Sequence, residues 1–221
     1  MKYISNNEEL NKAIKLAYQR EIEPYQLADI YFKNKLYSAA ASYYVIQIND
    51  IHNKKYNDDY MKSYCFGKVA ECYYNQQIDH KFSNWQLKMI YDMCQEAIIY
   101  NHSNYKPYLI CGKCLILMKE YKSAYFIYDD FINNLKNFDL DEQDLELFLD
   151  VIYEFFDLCE MYYIIKYDDT YNKIINFISK YSFFNFNAID EIHKRYKRHK
   201  DSVTQLELDI MNGNITKYYK Y

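Results

Sequence analysis

Glycine and proline are nearly missing from this chain, with Gly 3 and Pro 2 in 221 residues. Sheets joined by tight turns use both, so their scarcity argues against strands and for long helices. Three glycines also cannot build a phosphate-cradling loop. A membrane-spanning apolar run is missing too. The best candidate, Leu109 to Met118, is broken by Lys113 and reaches about half the needed length. The opening MKYISNNEEL lacks the apolar core of a signal peptide, so a cytoplasmic protein with its six cysteines reduced is expected. The sequons at Asn101 and Asn214 then carry no meaning for glycosylation. Positive charge is in deficit: a net charge of -4 offers no footprint for nucleic acid. The one local exception, the basic run from His193 to Lys200, reads as the solvated face of a terminal helix.

What is present is an ordinary globular balance of 50% hydrophobic and 26% charged residues. A chain of this length buries roughly 70% of its unfolded surface, enough for a real core. Tyr 29 is the anomaly. With Asn, Ile and Lys also in excess, it points to an AT-rich coding sequence.

The chain is organised around Tyr105–Phe131, which reads as two short helices joined by a turn at Lys119-Glu120. Tyr108, Gly112 and Leu115 share a face of the first, and Tyr121, Ala124 and Tyr128 share a face of the second. Small residues beside large ones let helices approach closely, with Gly112 and Ala124 as the small ones and Tyr121 plugging the turn. The pattern recurs. Pro24, Ala28, Tyr31, Tyr37, Ala40 and Tyr44 give Tyr108, Gly112, Leu115, Tyr121, Ala124 and Tyr128 at a fixed shift of 84. Half that shift gives a middle copy at Phe66, Ala70 and Tyr73.

Around this pattern, Ser5 caps a first helix over 5–20 with Glu8 three residues on, its stripe being Leu10, Ile14 and Ala17. Pro24 opens the next helix. Asn49–Asp59 suits a loop or an extended helix end, and Asn75–Ser83 is a second insertion. A helix follows from Asn84 to His102 with Ile90, Cys94, Ala97 and Ile98 inward. Asn133–Asp141 reads as a polar loop. Asp141 caps a helix over 142–164. Tyr163–Thr170 repeats the turn, with Tyr167 as plug and Thr170 in the small position, before a helix over 168–181. Asn187 caps another with Ile189, Ile192 and Tyr196 inward, and a weak final helix near 202–212 precedes a frayed tail.

These repeats resemble the tetratricopeptide family over roughly residues 22–180. The resemblance implies an all-α, right-handed solenoid of helical hairpins in one domain, 1–221. An N-terminal capping helix over 5–20, repeats at 22–48, 63–102, 105–135 and 142–181, and capping helices at 187–212 would make it up. Such repeats bury their apolar faces only by stacking. A narrower resemblance is to helical-repeat segments carried behind family 2-type glycosyltransferases. It rests on Ser63–Gly67, on Asn104–Cys114 with Lys106 in place of an acid, and on Tyr153, Asp157, Glu160, Tyr162, Tyr163 and Tyr167. Proteins of that kind are frequent in large DNA viruses with AT-rich genomes, and this composition suits one.

The motifs that imitate chemistry lack its context. Cys111-Gly-Lys-Cys114 sits inside a helix already used for packing, with no second C-x-x-C or His pair, so buried structural thiols are expected rather than a zinc or redox site. Cys65 and Cys72 read the same way. Asp139-Leu-Asp141 imitates a sugar-nucleotide D-x-D, but a helix cap fits better. His52, His80, His102, His193 and His199 have no nucleophile or carboxylate at catalytic spacing. The expectation is a non-enzymatic scaffold without cofactor or metal.

The family resemblance places the binding site in the concave groove lined by the first helix of each repeat. Carried onto this chain, it comprises Tyr25, Asp29, Phe32, Lys33, Tyr64, Lys68, Glu71, Tyr74, Lys106, Lys113 and Ile116. Rings beside charges of both signs suit a protein or peptide ligand. Clamps for C-terminal carboxylates are disfavoured, because Tyr25 and Asp29 stand where Lys and Asn are needed and Ile110 replaces a base. The alternative reading is a detached accessory module of a glycosyltransferase system, with a glycosyltransferase as partner. A homodimer is the other assembly compatible with this reading.

Overall fold

With breakers almost absent, side-chain caps and left-handed turns mark several of the helix ends. The computed structural model describes residues 8–19, 21–53, 58–76, 82–162 and 168–212. Ten α-helices occur among them: α1 (Glu8–Tyr18), α2 (Pro24–Lys33), α3 (Tyr37–Asn53), α4 (Asp59–Gln76), α5 (Asn84–Tyr100), α6 (Lys106–Leu117), α7 (Tyr121–Asn133), α8 (Leu145–Met161), α9 (Asp168–Ile178) and α10 (Phe186–Met211). Short 3-10 turns at Leu135–Asn137 and Glu142–Asp144 lie between α7 and α8. No strand occurs among the described residues. The chain divides into two compact units, Met1–Met118 and Lys119–Tyr221. The division falls within the repeat expected at 105–135.

In the first unit each helix packs on its sequence neighbour, and α4 also meets α6. Pro24 occupies the first turn of α2, where a missing N–H costs nothing. At α5 the Ser83 hydroxyl accepts from the Gln86 N–H at 3.3 Å, while Gln86 Oε1 accepts from the Ser83 N–H at 2.9 Å. The core joins Ala28, Ala40, Ala41, Tyr44, Ile48, Cys65, Val69 and Cys72. Ile90, Cys94, Ala97 and Ile98 are buried on α5 as the spacing predicts. Burying each large apolar side chain contributes about 1.5–3 kcal/mol. A close approach occurs at Gly67, where an added Cβ would stand 3.2 Å from both Asn104 Nδ2 and Pro107 Cγ.

The turn before α3 and the turn before α7 share one backbone feature. Lys35 and Lys119, 84 residues apart, are the non-glycine residues with positive φ among those described, at 58° and 63°. Tyr37, at the start of α3, packs edge-on to Phe32 at 5.4 Å. Tyr121 is 37% exposed, so it covers its turn less completely than a plug would.

In the second unit α7 packs on α8 and α9, and α10 on α8. Its core is aromatic: Phe148 lies 5.9 Å from Phe131, 5.5 Å from Phe177 and 5.7 Å from Phe184 between ring centroids. The segment 133–141 is not the polar loop expected. Leu135, Phe138 and Leu140 are buried, with Phe138 stacked on Phe131 at 5.3 Å. Asp141 does cap: its Oδ1 accepts from the Gln143 N–H at 3.0 Å, but it starts a 3-10 turn, and α8 begins only at Leu145. Thr170 is buried in α9. The last segment is one helix of 26 residues rather than two, capped by Asn185, not Asn187. No glycine or proline interrupts it. The hydroxyls of Ser202 and Thr204 bond back to the carbonyls of Arg198 and Lys200, each at 3.0 Å, and so remain in the helix. Ile192 is buried and Ile189 exposed. The cap at Ser5, His80, the Tyr167 plug and the tail beyond Asn212 lie outside the described residues.

Candidate functional site

The expected groove residues all lie in the first unit, on α2, α4 and α6. Two clusters tie these helices together. At the centre of one is Asp29, on the face of α2 that looks toward α3 and α4. Its Oδ1 accepts from the Tyr44 hydroxyl of α3 and from the Tyr64 hydroxyl of α4, both at 2.5 Å. Tyr64 also meets Tyr25 edge-on at 6.4 Å and Tyr44 at 6.1 Å. The Tyr25 N–H donates to Gln47 Oε1 at 3.4 Å. Burial raises the pKa of both Tyr44 and Tyr64, and the hydrogen bond to Asp29 raises each further. Both phenols therefore act as neutral donors, orienting Tyr64 and Tyr25.

The second cluster runs from α2 through α4 to α6. The Lys68 ammonium lies over the Phe32 ring at 4.1 Å and donates to Glu71 Oε2 at 2.8 Å. Glu71 Oε1 faces Lys106 Nζ at 3.8 Å. These charges are partly screened from water, with side-chain exposures of 18% for Lys68, 16% for Glu71 and 27% for Lys106. Tyr74 stacks on Phe82 at 5.6 Å. Lys33 is exposed, and Lys113 and Ile116 are half-buried on α6. The structure thus links Tyr25, Tyr64 and Asp29 in one set of direct contacts and Phe32, Lys68, Glu71 and Lys106 in another. Many of the polar atoms in this row are spent on neighbouring helices, which fixes the rings in place.

Sequence reasoning assigned Tyr44 to packing alone. Its buried hydroxyl, which must find a partner, was the available signal. A cleft of about 920 Å³ in the same unit was also missed. Its lining includes Leu10, Ile14, Tyr31, Tyr37, Ser42 and Tyr43, with Tyr31 and Tyr43 stacked at 5.5 Å.

The remaining motif residues make contacts within the fold. All six cysteines are free and buried. Burial pushes the Cys111 thiol up to about 12, against a smaller opposing effect of the Gln95 amide, which donates to its sulfur at 3.2 Å. Cys114 is raised by burial too. Protonated thiols inside α6 are poor nucleophiles and poor ligands. No group of three or more metal-ligating side chains gathers among the described residues. Asp139 accepts from the Tyr181 hydroxyl at 3.2 Å. His102 Nδ1 lies 3.2 Å from the Tyr108 hydroxyl and His193 Nδ1 2.9 Å from that of Tyr171. His52 is exposed and His199 buried.

The basic run of α10 is largely neutralised within its own unit. Arg195 reaches both oxygens of Asp157 at 2.8 Å and Glu191 at 2.8 Å. Arg198 pairs with Asp157 at 2.6 Å and Glu160 at 2.7 Å, and Lys194 with Asp190 at 2.7 Å. The Arg195 guanidinium also lies 4.7 Å from the Tyr153 ring. Tyr153, Asp157 and Glu160, which carry part of the glycosyltransferase-associated pattern, therefore form the seat of α10. No helix among the described residues is long and apolar enough to cross a membrane. Comparisons with protein-family models, curated proteins and solved structures find no match for this chain.

Proposed function

We propose that this chain is a tetratricopeptide-like helical scaffold that binds a protein partner through the row of side chains on α2, α4 and α6. The observation that carries the reading is the chain of contacts from Phe32 through Lys68 and Glu71 to Lys106, with Tyr25 and Tyr64 held beside it through Asp29. It makes one surface from helices that are not sequence neighbours. Aromatic anchors held in fixed positions lose little entropy on binding, which is how peptide-recognition surfaces gain affinity. Sequential packing of neighbouring helices in the first unit and the left-handed lysine turns 84 residues apart support the repeat reading.

The test is affinity capture from the native cell with three baits: wild type, a groove variant carrying Lys33→Glu and Lys113→Glu, and a control carrying Lys88→Glu on the exposed face of α5. A partner held by wild type and control but lost by the groove variant supports the proposal. Equal capture by all three refutes it. A glycosyltransferase in the first set would favour the accessory-module reading.

A further inference from the structure

The second unit holds a small basic cavity that the groove reading leaves unused. It lies between the end of α7, the 3-10 turn Leu135–Asn137 and α9, with a volume of about 370 Å³. Lys136, Lys173 and Lys180 line it together with Asn133 and Asn176, over an inner wall that includes Phe177. The volume falls near the lower end of small-ligand sites.

Three lysines line this one concavity in a chain of net charge -4. Some lysines elsewhere pair with acids: Lys68 with Glu71, Lys88 with Asp92, Lys194 with Asp190. Here, among the described residues, none of the three makes an ion pair within 4.0 Å. Lys173 donates instead to Asn133 Oδ1 at 2.7 Å, and Asn133 Nδ2 donates on to Asp129 Oδ2 at 3.1 Å. Asp129 is half-buried. Burial raises its pKa, and Lys173 offsets part of that rise. One lysine charge thus answers one carboxylate, which leaves those of Lys136 and Lys180 for a ligand. Lys180 Nζ lies 5.5 Å from the Phe177 ring centroid.

Lysines beyond a helix end also complement the helix dipole. The dipole supplies only about half a charge at each end, so it offsets Lys136 after α7 and Lys180 after α9 in part, and it accounts neither for Lys173 in the body of α9 nor for the concavity with its two amides. We infer that this cavity binds a small phosphate-bearing anion. Ammonium groups act as point charges that suit a compact polyanion with oxygens on several sides. The Asn133 and Asn176 amides can supply further donors. The inference is independent of the proposed groove, which lies on the other unit.

The test is titration of the full chain with sodium pyrophosphate at pH 7 and low salt, followed by calorimetry. Citrate is the carboxylate comparison. Wild type should bind pyrophosphate saturably and more tightly than citrate. Lys136→Gln, Lys173→Gln and Lys180→Gln should each weaken it about tenfold, the scale of one charge-assisted hydrogen bond. Lys88→Gln should leave it unchanged. Thermal melts confirm that each variant is folded, and Lys180→Arg should retain binding. Three results would each overturn the inference: no saturation by wild type in the millimolar range, citrate binding as tight as pyrophosphate, or lysine variants that melt lower with unchanged affinity. The last would leave the lysines as dipole partners only.

Discussion

Gly67 is where two opposing effects on stability can be separated. It sits in the interior of α4, where glycine costs about 1 kcal/mol relative to alanine. That cost secures space, because a Cβ would come within 3.2 Å of Pro107 Cγ and Asn104 Nδ2, and 3.8 Å of Ala97 Cβ. Pro107 belongs to the first turn of α6, and Asn104 holds the Ser63 hydroxyl and carbonyl at 3.2 and 3.4 Å. For Gly67→Ala, a few tenths of an ångström of ring and amide movement offsets the propensity gain, so stability should stay within about 1 kcal/mol of wild type. Gly67→Leu adds atoms that no such adjustment accommodates. Overpacking costs about 1–3 kcal/mol, and the longer side chain must also break the Asn104–Ser63 link, worth about 1 kcal/mol more. At about 2–4 °C per kcal/mol for a chain of this size, the leucine variant should melt several degrees lower. Hydrogen exchange should place the loss in α4–α6. A Gly67→Leu protein that melts at or above the wild-type temperature would refute the close approach of α4 and α6.

Asp29→Ala leaves the hydroxyls of buried Tyr44 and half-buried Tyr64 without their shared acceptor and should cost about 2–4 kcal/mol. Tyr64→Phe, which removes one of the two bonds, should cost clearly less, as urea unfolding would record. Lys35→Gly and Lys119→Gly should each stabilise by up to about 1 kcal/mol, since a left-handed backbone is free of penalty only for glycine. A lower melting temperature for both would count against that geometry. The buried thiols fix the response to alkali. Cys65, Cys72 and Cys111 are raised by burial from 9.0 to about 12. A group raised on folding contributes fully below its unfolded value and loses that contribution as pH climbs toward the folded one. Stability to urea should therefore be level with respect to these groups up to about pH 9 and then fall by about 1.4 kcal/mol per pH unit for each thiol. An unchanged midpoint between pH 8 and 10.5 would exclude burial of these cysteines.

The helices were legible because their signals are local: Pro24 at a first turn, the small-and-large spacing around Ala28 and Gly112, the apolar stripe of α5. The continuity of α10 was not, because the stretch after Lys200 is polar with few aliphatics and reads as a separate weak helix near 202–212. Leu135, Phe138 and Leu140 were hidden by irregular spacing, since a segment without helical or strand period gives no face to read. The groove positions were legible as a set, carried by family pattern, but their wiring was not. Tyr64 and Asp29 are 35 residues apart, and Asn133 and Lys173 are 40 apart. Nothing in a single sequence marks such a pair as neighbours.

The two left-handed turns also make the chain unevenly vulnerable to proteolysis. Lys35 and Lys119 are exposed residues at the sharp joints between helices, and each is a residue after which trypsin cuts. A strained peptide at an exposed turn needs less local opening to enter a protease cleft than one inside a helix does. Brief trypsin treatment should therefore cut at these joints before it reaches the many lysines held in helices. The cut after Lys119 falls at the division between the units, whereas the cut after Lys35 separates α2 from α4 and α6, so a Lys35→Gln variant is the form from which trypsin would release residues 1–119 and 120–221.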